Sequence, residues 1–252
     1  SLFAGRTPYR KFLILVGLTL ISAVIFTIIG GMLAQVVFGV AAATDPKALS
    51  DLTNPNVVNA ALLIQFVAAI GTFVLPPYLA AYLFDNDPAS FLGIDRKPQM
   101  GQIFLALALI LVAVPFINWM LTVNGTMKLP ASLKSVEDWM KQSEEAAARL
   151  TEAFVASTSV SRLFVNLIVM AILPAIGEEL LFRGVIQRLF KDLAGNIHVS
   201  IILTAVLFSA LHMQFYGFLP RFALGVLLGY LYYWSGSLRL SMAAHMMNNS
   251  LA

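Results

Sequence analysis

The chain has 252 residues, of which 59% are hydrophobic and only 12% are charged; its formal net charge is +3 and its mean hydropathy is +0.83. Soluble domains carry roughly 25% charged residues, so this composition excludes an ordinary water-soluble enzyme, a disordered chain and a nucleic-acid-binding surface. We therefore expect one integral membrane domain over residues 1–252. The absence of cysteine from the sequence excludes disulfides, thiolate metal sites and a cysteine nucleophile.

Seven apolar stretches follow one another along the chain, and a membrane-spanning helix needs ~20 apolar residues. They cover residues 12–41, 57–84, 102–123, 160–190, 197–214, 219–234 and 238–252. The sequence therefore predicts an all-α, polytopic transmembrane helix bundle with about seven visible spans. Between the third and fourth stretches, residues 132–156 combine many charges with apolar residues near helical spacing. This segment is expected to form an amphipathic connector helix on the membrane, either simply solvated or gating a substrate.

Basic residues in the short loops alternate between the two sides of the predicted bundle. They precede the first span and follow the second and fourth spans, as Arg6, Arg10, Lys11, Arg96, Lys97, Arg188 and Lys191. The positive-inside rule then places the N-terminus in the cytoplasm. With no sorting signal in the sequence, we expect a lipid bilayer of the prokaryotic plasma membrane as the environment.

The fourth span contains three charged residues, Glu178, Glu179 and Arg183. Each would cost several kcal/mol in the membrane without a partner. Glu179 and Arg183 are four residues apart, which favours an ion pair on a helix. Glu178 points about 100° away from that pair, so we expect it to face a polar cavity as a general acid or base. The alternative is that all three residues only hold helices together. Pro174 should bend this helix near the site.

Polar residues also interrupt the last apolar stretches. His212 ends the fifth, and His245 and Asn249 lie four apart, on one side of the last. An imidazole can shuttle a proton or bind a metal, and an amide can donate to a developing oxyanion. A lone intramembrane histidine can equally be a hydrogen-bonded link between helices. A rise of 1.5 Å per residue puts Glu178, His212 and His245 within about 10 Å of one another in depth, which allows a common pocket.

The sequence lacks the zinc motif His-Glu-x-x-His, the serine motif Gly-x-Ser-Gly and an aspartate pair inside the spans. Its motifs are Glu178-Glu179-x-x-x-Arg183, Phe208-x-x-x-His212 and His245-x-x-x-Asn249. In this order, on three successive predicted helices, they resemble the CPBP intramembrane proteases, which include CAAX prenyl endoproteases and bacteriocin-processing or self-immunity proteins. The resemblance rests on a motif core over residues 174–250.

The resemblance implies an intramembrane endopeptidase acting on a membrane-associated peptide or protein, of the prenylated CAAX type or the peptide-toxin type. It implies that Glu178 activates water with help from His212, that His245 and Asn249 stabilise the oxyanion, and that Glu179 and Arg183 shape the site. The family typically has eight transmembrane helices, so an eighth is expected beyond Ala252. Alternatives are a non-catalytic membrane scaffold or bacteriocin immunity protein, and a proton-coupled transporter, although no repeats or paired broken helices support a transporter.

The role of a metal stays open at this point. Glu178, His212 and His245 could form a zinc site of two histidines and one carboxylate, with an open position for water. A metal-free mechanism uses Glu178 as the general base for an unligated water. The site layout in the family favours the metal-free version, so we expect either no cofactor or zinc.

Overall fold

The computed structural model describes residues 1–157 and 159–251, apart from the side chain of Pro46. No strand occurs in this part of the chain, and the predicted all-α fold is confirmed. Its helices are α1 (Pro8–Phe38), α2 (Pro55–Phe84), α3 (Pro88–Leu92), α4 (Met100–Thr126), α5 (Lys134–Val155), α6 (Val160–Ala194), α7 (Ile197–Leu211), α8 (Phe215–Ser235) and α9 (Leu238–Leu251).

Each of the seven predicted spans coincides with a helix, but not all of these helices are long enough to cross a membrane. By length and composition five qualify, namely α1, α2, α4, α6 and α8. Helix α7 has 15 residues, which is shorter than the hydrocarbon core requires. Helix α9 is described over 14 residues, up to Leu251. The predicted fifth span extended to residue 214, whereas α7 ends at Leu211. The last residue of the predicted seventh span, Ala252, lies outside the described residues.

The long helices run alternately up and down, so the connections lie at two ends of the bundle. One end, which we call the basic end, contains the connections before α1, α4, α7 and α9 and most of the loop arginines and lysines. The other, the connector end, carries the amphipathic helix α5. The predicted connector helix over residues 132–156 is present as Lys134–Val155, and its Phe154 is buried against Val58 of α2 and Val169 of α6.

Helices α2 and α6 contain π-helical turns, in which a backbone N–H group donates to the carbonyl group five residues earlier. The turns Ile70–Val74 and Leu167–Ile172 lie just before proline residues, Pro76 and Pro174. Because proline has no N–H group, a local change of helical pattern re-satisfies the carbonyls that it leaves free. At Pro174, where the sequence predicted a bend, the structure has a π-helical turn directly before the proline. A third turn, Leu180–Ile186, follows Glu179.

Helix α6 is the central helix of the bundle. Its residues Leu180, Phe182 and Val185 are buried in the largest hydrophobic core cluster, together with residues of α2. Gly177 allows α2 to come very close, because a Cβ at this position would lie 2.6 Å from the Cβ of Phe73. The next two residues along α6 are the two glutamates, so this close helix contact helps to position them.

Candidate active site

Glu179 and Arg183 form a fully buried ion pair. The Arg183 Nη1 donates to Glu179 Oε1 at 2.7 Å, and both side chains are 0% exposed. Arg183 also donates through Nη2 to the carbonyl of Gly225 in α8 at 2.9 Å, and its guanidinium lies 4.8 Å from the ring centroid of Phe208. The predicted pairing along α6 is therefore present, and it also ties α6 to α7 and α8.

Glu178 has a different environment from its neighbour. Its side chain is 13% exposed, and its Oε2 lies 3.7 Å from the Nε2 of His245, too far for a direct hydrogen bond. Among the described residues no donor is within hydrogen-bonding distance of this carboxylate. The structure thus places one glutamate in the packed interior and the other facing open space, as the 100° offset predicted.

His245 connects the two glutamates. Its Nδ1 lies 2.9 Å from Glu179 Oε1, and its Nε2 faces Glu178. Since an ionised carboxylate only accepts hydrogen bonds, Nδ1 carries the proton and donates to Glu179. The ring is 2% exposed, so its orientation is fixed by this bond. This contact was not predicted from the sequence, because it joins α6 and α9 across 66 residues.

His212 is half-buried at the end of α7. Its Nδ1 is 2.8 Å from the carbonyl oxygen of Phe208. A carbonyl only accepts, so Nδ1 donates and Nε2 keeps its lone pair free. The next residue, Met213, has φ of 54°, a left-handed conformation that is unusual for a side chain of this size. This backbone reversal ends α7 directly beside the imidazole.

The ring of Phe208 lies between the charged and the imidazole groups of the site. Its centroid is 4.9 Å from that of His212 and 5.8 Å from that of His245. The Arg183 guanidinium lies over the face of the same ring. Phe208 is 2% exposed. One aromatic side chain therefore contacts three of the six predicted site residues.

Asn249 is on the same side of α9 as His245 and is half-buried. Its Oδ1 accepts a bond from Asn248 at 3.4 Å, and within the described part of the chain no bond joins it to the other site residues. The structure therefore brings together Glu178, Glu179, Arg183 and His245 directly. His212 joins them through Phe208, and Asn249 lies one helical turn away from His245.

The connector helix contacts the turn that follows the site residue His212. The Tyr216 backbone N–H and hydroxyl group bond to Glu144 and Glu137 of α5, at 3.4 and 3.3 Å. The turn that holds Tyr216 is fixed by the buried Asn124, whose amide nitrogen donates to Phe215 and whose oxygen accepts from Leu219. The connector is thus docked on the same turn that follows His212.

Arg221 in α8 is a site residue that the sequence reasoning missed. It bonds to Gln214 and interacts electrostatically with Glu144 of the connector and with Glu178. Its Nη1 is buried without a hydrogen-bond partner. The signal was present in the sequence, since Arg221 is a lone charge inside the predicted span 219–234.

The residues proposed as zinc ligands do not form a metal-binding cluster in this conformation. Among the described residues, no three histidine, aspartate or glutamate side chains converge in a way that could hold a metal ion. Glu178 and His245 face each other, but His212 is separated from them by the Phe208 ring.

The C-terminal part of the chain matches a known protein family. The match covers residues 160–251, and the family is described as type II CAAX prenyl endopeptidase, Rce1-like. This stretch resembles the Rce1-like family. It contains all three motifs and both α6 and α9, which meet where His245 contacts Glu179, so the predicted resemblance to CAAX-type proteases is confirmed for this part of the chain. By its description, the matching family is one of endopeptidases, which are hydrolases.

The chain is also similar to a curated bacterial protein. The chain is 33% identical over 84 residues to the uncharacterized protein YpbD of Bacillus subtilis (strain 168). These residues are 32% of this chain and 40% of the relative, so the chain spans about two fifths of the length of the curated protein it matches. No solved structure matches the chain significantly.

Proposed function

We propose that the protein is an intramembrane endopeptidase that hydrolyses a peptide bond of a membrane-associated substrate. The proposal rests on the difference between the environments of the two glutamates, Glu178 and Glu179. Glu179 is paired with Arg183 and fully buried, whereas the side chain of Glu178 is 13% exposed and has no direct hydrogen-bond donor among the described residues. A purely structural cluster has no need for the second carboxylate.

In this proposal Glu178 is the general base that takes a proton from the attacking water. His212 assists it, because its Nδ1 is occupied by the Phe208 carbonyl and its free Nε2 can accept a hydrogen bond from the same water. Glu178 is close enough to His212 to interact with it electrostatically. After attack, the base returns the proton to the leaving amine, so that the carboxylate is regenerated.

His245 and Asn249 are proposed to stabilise the oxyanion of the tetrahedral intermediate. For His245 to donate from Nε2 while Nδ1 donates to Glu179, the ring must be an imidazolium. The Asn249 amide would be the second donor.

The substrate is proposed to be a prenylated CAAX-type chain or a toxin-type peptide presented by the lipid bilayer of a prokaryotic plasma membrane, with the N-terminus of the enzyme in the cytoplasm. The competing proposal is a non-catalytic membrane scaffold or bacteriocin immunity protein. It would use the same polar cluster only to associate helices, and the open position of Glu178 favours the protease.

The test is cleavage of a quenched, membrane-tethered peptide library by the purified protein. We expect Glu178→Gln to abolish cleavage without changing the unfolding temperature, because the substitution keeps the shape and removes only the base. Glu145→Gln, on the exposed face of α5, is the matched control and should cleave normally.

Cleavage that survives a chelator would support the metal-free mechanism. Loss in chelator with recovery in zinc would instead assign a metalloprotease. Normal cleavage by Glu178→Gln would refute the role of Glu178.

A further inference from the structure

A cavity of about 560 Å³ lies at the basic end of the bundle, far from the candidate active site. It is formed where α1 and α7 begin and where α3, α6 and α8 end. Four basic side chains from α1, the loop after α3, and α6 line it, namely Lys11, Arg96, Arg188 and Lys191. Nothing in the proposed proteolytic reaction uses these residues.

The positive charge of this basic cavity is not neutralised by the protein. Two carboxylates, Asp85 and Asp192, also line it, which leaves a net charge of +2 on the lining side chains. Among the described residues, no carboxylate lies within 4.0 Å of any of the four cations, since the ion pairs of the chain are found elsewhere. A set of unpaired cations around a cavity is an arrangement that attracts an anion.

Arg188 is held in a fixed orientation in this cavity. Its Nε and Nη2 donate to the Tyr232 hydroxyl group at 3.1 and 3.0 Å, Nη2 also donates to the carbonyl of Ser90 at 3.2 Å, and the guanidinium lies 5.3 Å from the centroid of Phe91. Its Nη1 has no protein partner among these bonds. A guanidinium that is already ordered loses little entropy when it binds an oxyanion.

Two backbone carbonyl groups beside the cavity, which would otherwise repel an anion, are already engaged in hydrogen bonds. The carbonyl of Gly93 accepts from the Leu238 N–H group at 2.9 Å, and that of Arg96 accepts from the Ser237 hydroxyl group at 2.6 Å. Gly93 has φ of 72°, and a Cβ there would lie 2.8 Å from the Tyr232 hydroxyl oxygen. The glycine thus makes room for the hydroxyl group that orients Arg188.

We propose that this basic cavity binds a phosphate group, carried by the headgroup of an anionic phospholipid. Phosphate oxygens suit a fixed guanidinium flanked by flexible lysines. The cavity lies at the ends of the apolar helices, and the half-exposed Tyr233 at its edge offers an aromatic contact to lipid. Basic cavities between membrane helices on the cytoplasmic side recognise anionic headgroups, and the loop charges predict that this end is cytoplasmic.

The test compares binding of phosphatidylglycerol and phosphatidylcholine, with identical acyl chains, to the purified full chain by native mass spectrometry. The double variant Arg96→Gln/Lys191→Gln removes two exposed cations of the cavity. The control Arg149→Gln/Lys141→Gln removes one arginine and one lysine from the exposed face of α5. We expect the cavity variant to bind phosphatidylglycerol about tenfold more weakly, since it loses two charge-assisted contacts, and the control to bind as the parent does.

Other outcomes have definite meanings. Equal binding of the two lipids, or an equal loss in the control, would overturn the proposal, because the attraction would then be general surface charge. If millimolar inorganic phosphate stabilises the protein against heat and phosphatidylglycerol does not, the lipid source is refuted and the cavity is a site for free phosphate. If the double variant unfolds at a lower temperature without lipid, Lys191→Glu alone replaces it, with Lys141→Glu as its control.

Discussion

Replacing Arg183 by methionine tests whether the buried pair with Glu179 is structural. The substitution keeps an apolar side chain of similar length but leaves Glu179 buried without its main partner. Removing one partner of a buried ion pair costs about 3–5 kcal/mol. Glu179 would keep its 2.9 Å contact with His245, which favours the lower value, and the Gly225 carbonyl would lose a bond worth about 1 kcal/mol. We therefore expect the free energy of unfolding to fall by about 4 kcal/mol.

The assay is an unfolding titration with dodecyl sulfate in mixed micelles, followed by circular dichroism. The double variant Glu179→Gln/Arg183→Met removes both charges, so it should recover at least half of the lost stability. Glu178→Gln, at the exposed glutamate, should unfold as the parent does. A single variant Arg183→Met that loses less than about 1 kcal/mol, or a double variant no more stable than the single, would contradict a structural ion pair. A stable but inactive Arg183→Met would place Arg183 in the catalytic group.

Two further predictions concern how the site is held in place. Gly225→Ala should lower the free energy of unfolding by about 1–3 kcal/mol, because the new Cβ would lie 3.0 Å from that of Ala205. The control Gly17→Ala, whose new Cβ meets nothing within 4 Å, should not lower it. An equal effect of the two substitutions would contradict the packing argument. Tyr216→Phe removes the hydroxyl bond to Glu137 and should make tryptic cleavage within α5 at least about threefold faster. Ser143→Ala is the control, and unchanged cleavage would mean that this bond does not hold the connector.

The parts of the structure that the sequence predicted well depend on short-range rules. Apolar stretches separated by charged loops predicted the helices, because exposing backbone groups to lipid is too costly for any other structure. The pairing of Glu179 with Arg183 followed from helical spacing, and the open position of Glu178 followed from the rotation per residue. Family resemblance then added roles that spacing alone left open.

The parts that the sequence did not predict depend on tertiary packing. The bond from His245 to Glu179 requires α9 to lie against α6, and no local pattern encodes that distance. The π-helical turn after Glu179 and the left-handed Met213 have no signal either, since leucine and methionine are not typical turn residues. Helix α7 was predicted as a full span because hydropathy reports composition and not the exact end of a helix. Arg221 was overlooked although the rule for charges in the membrane applies to it.

The contacts of Phe208 have a mechanical consequence. Because its ring touches the Arg183 guanidinium and both imidazoles, and its carbonyl holds the Nδ1 of His212, a small rotation of α7 cannot move one of these groups alone. The two histidines and the ion pair are therefore expected to move together with the Phe208 side chain. Any tilt of α7 that opens space for a substrate would therefore change the angle of both imidazoles at once, so that access and alignment vary together along one coordinate.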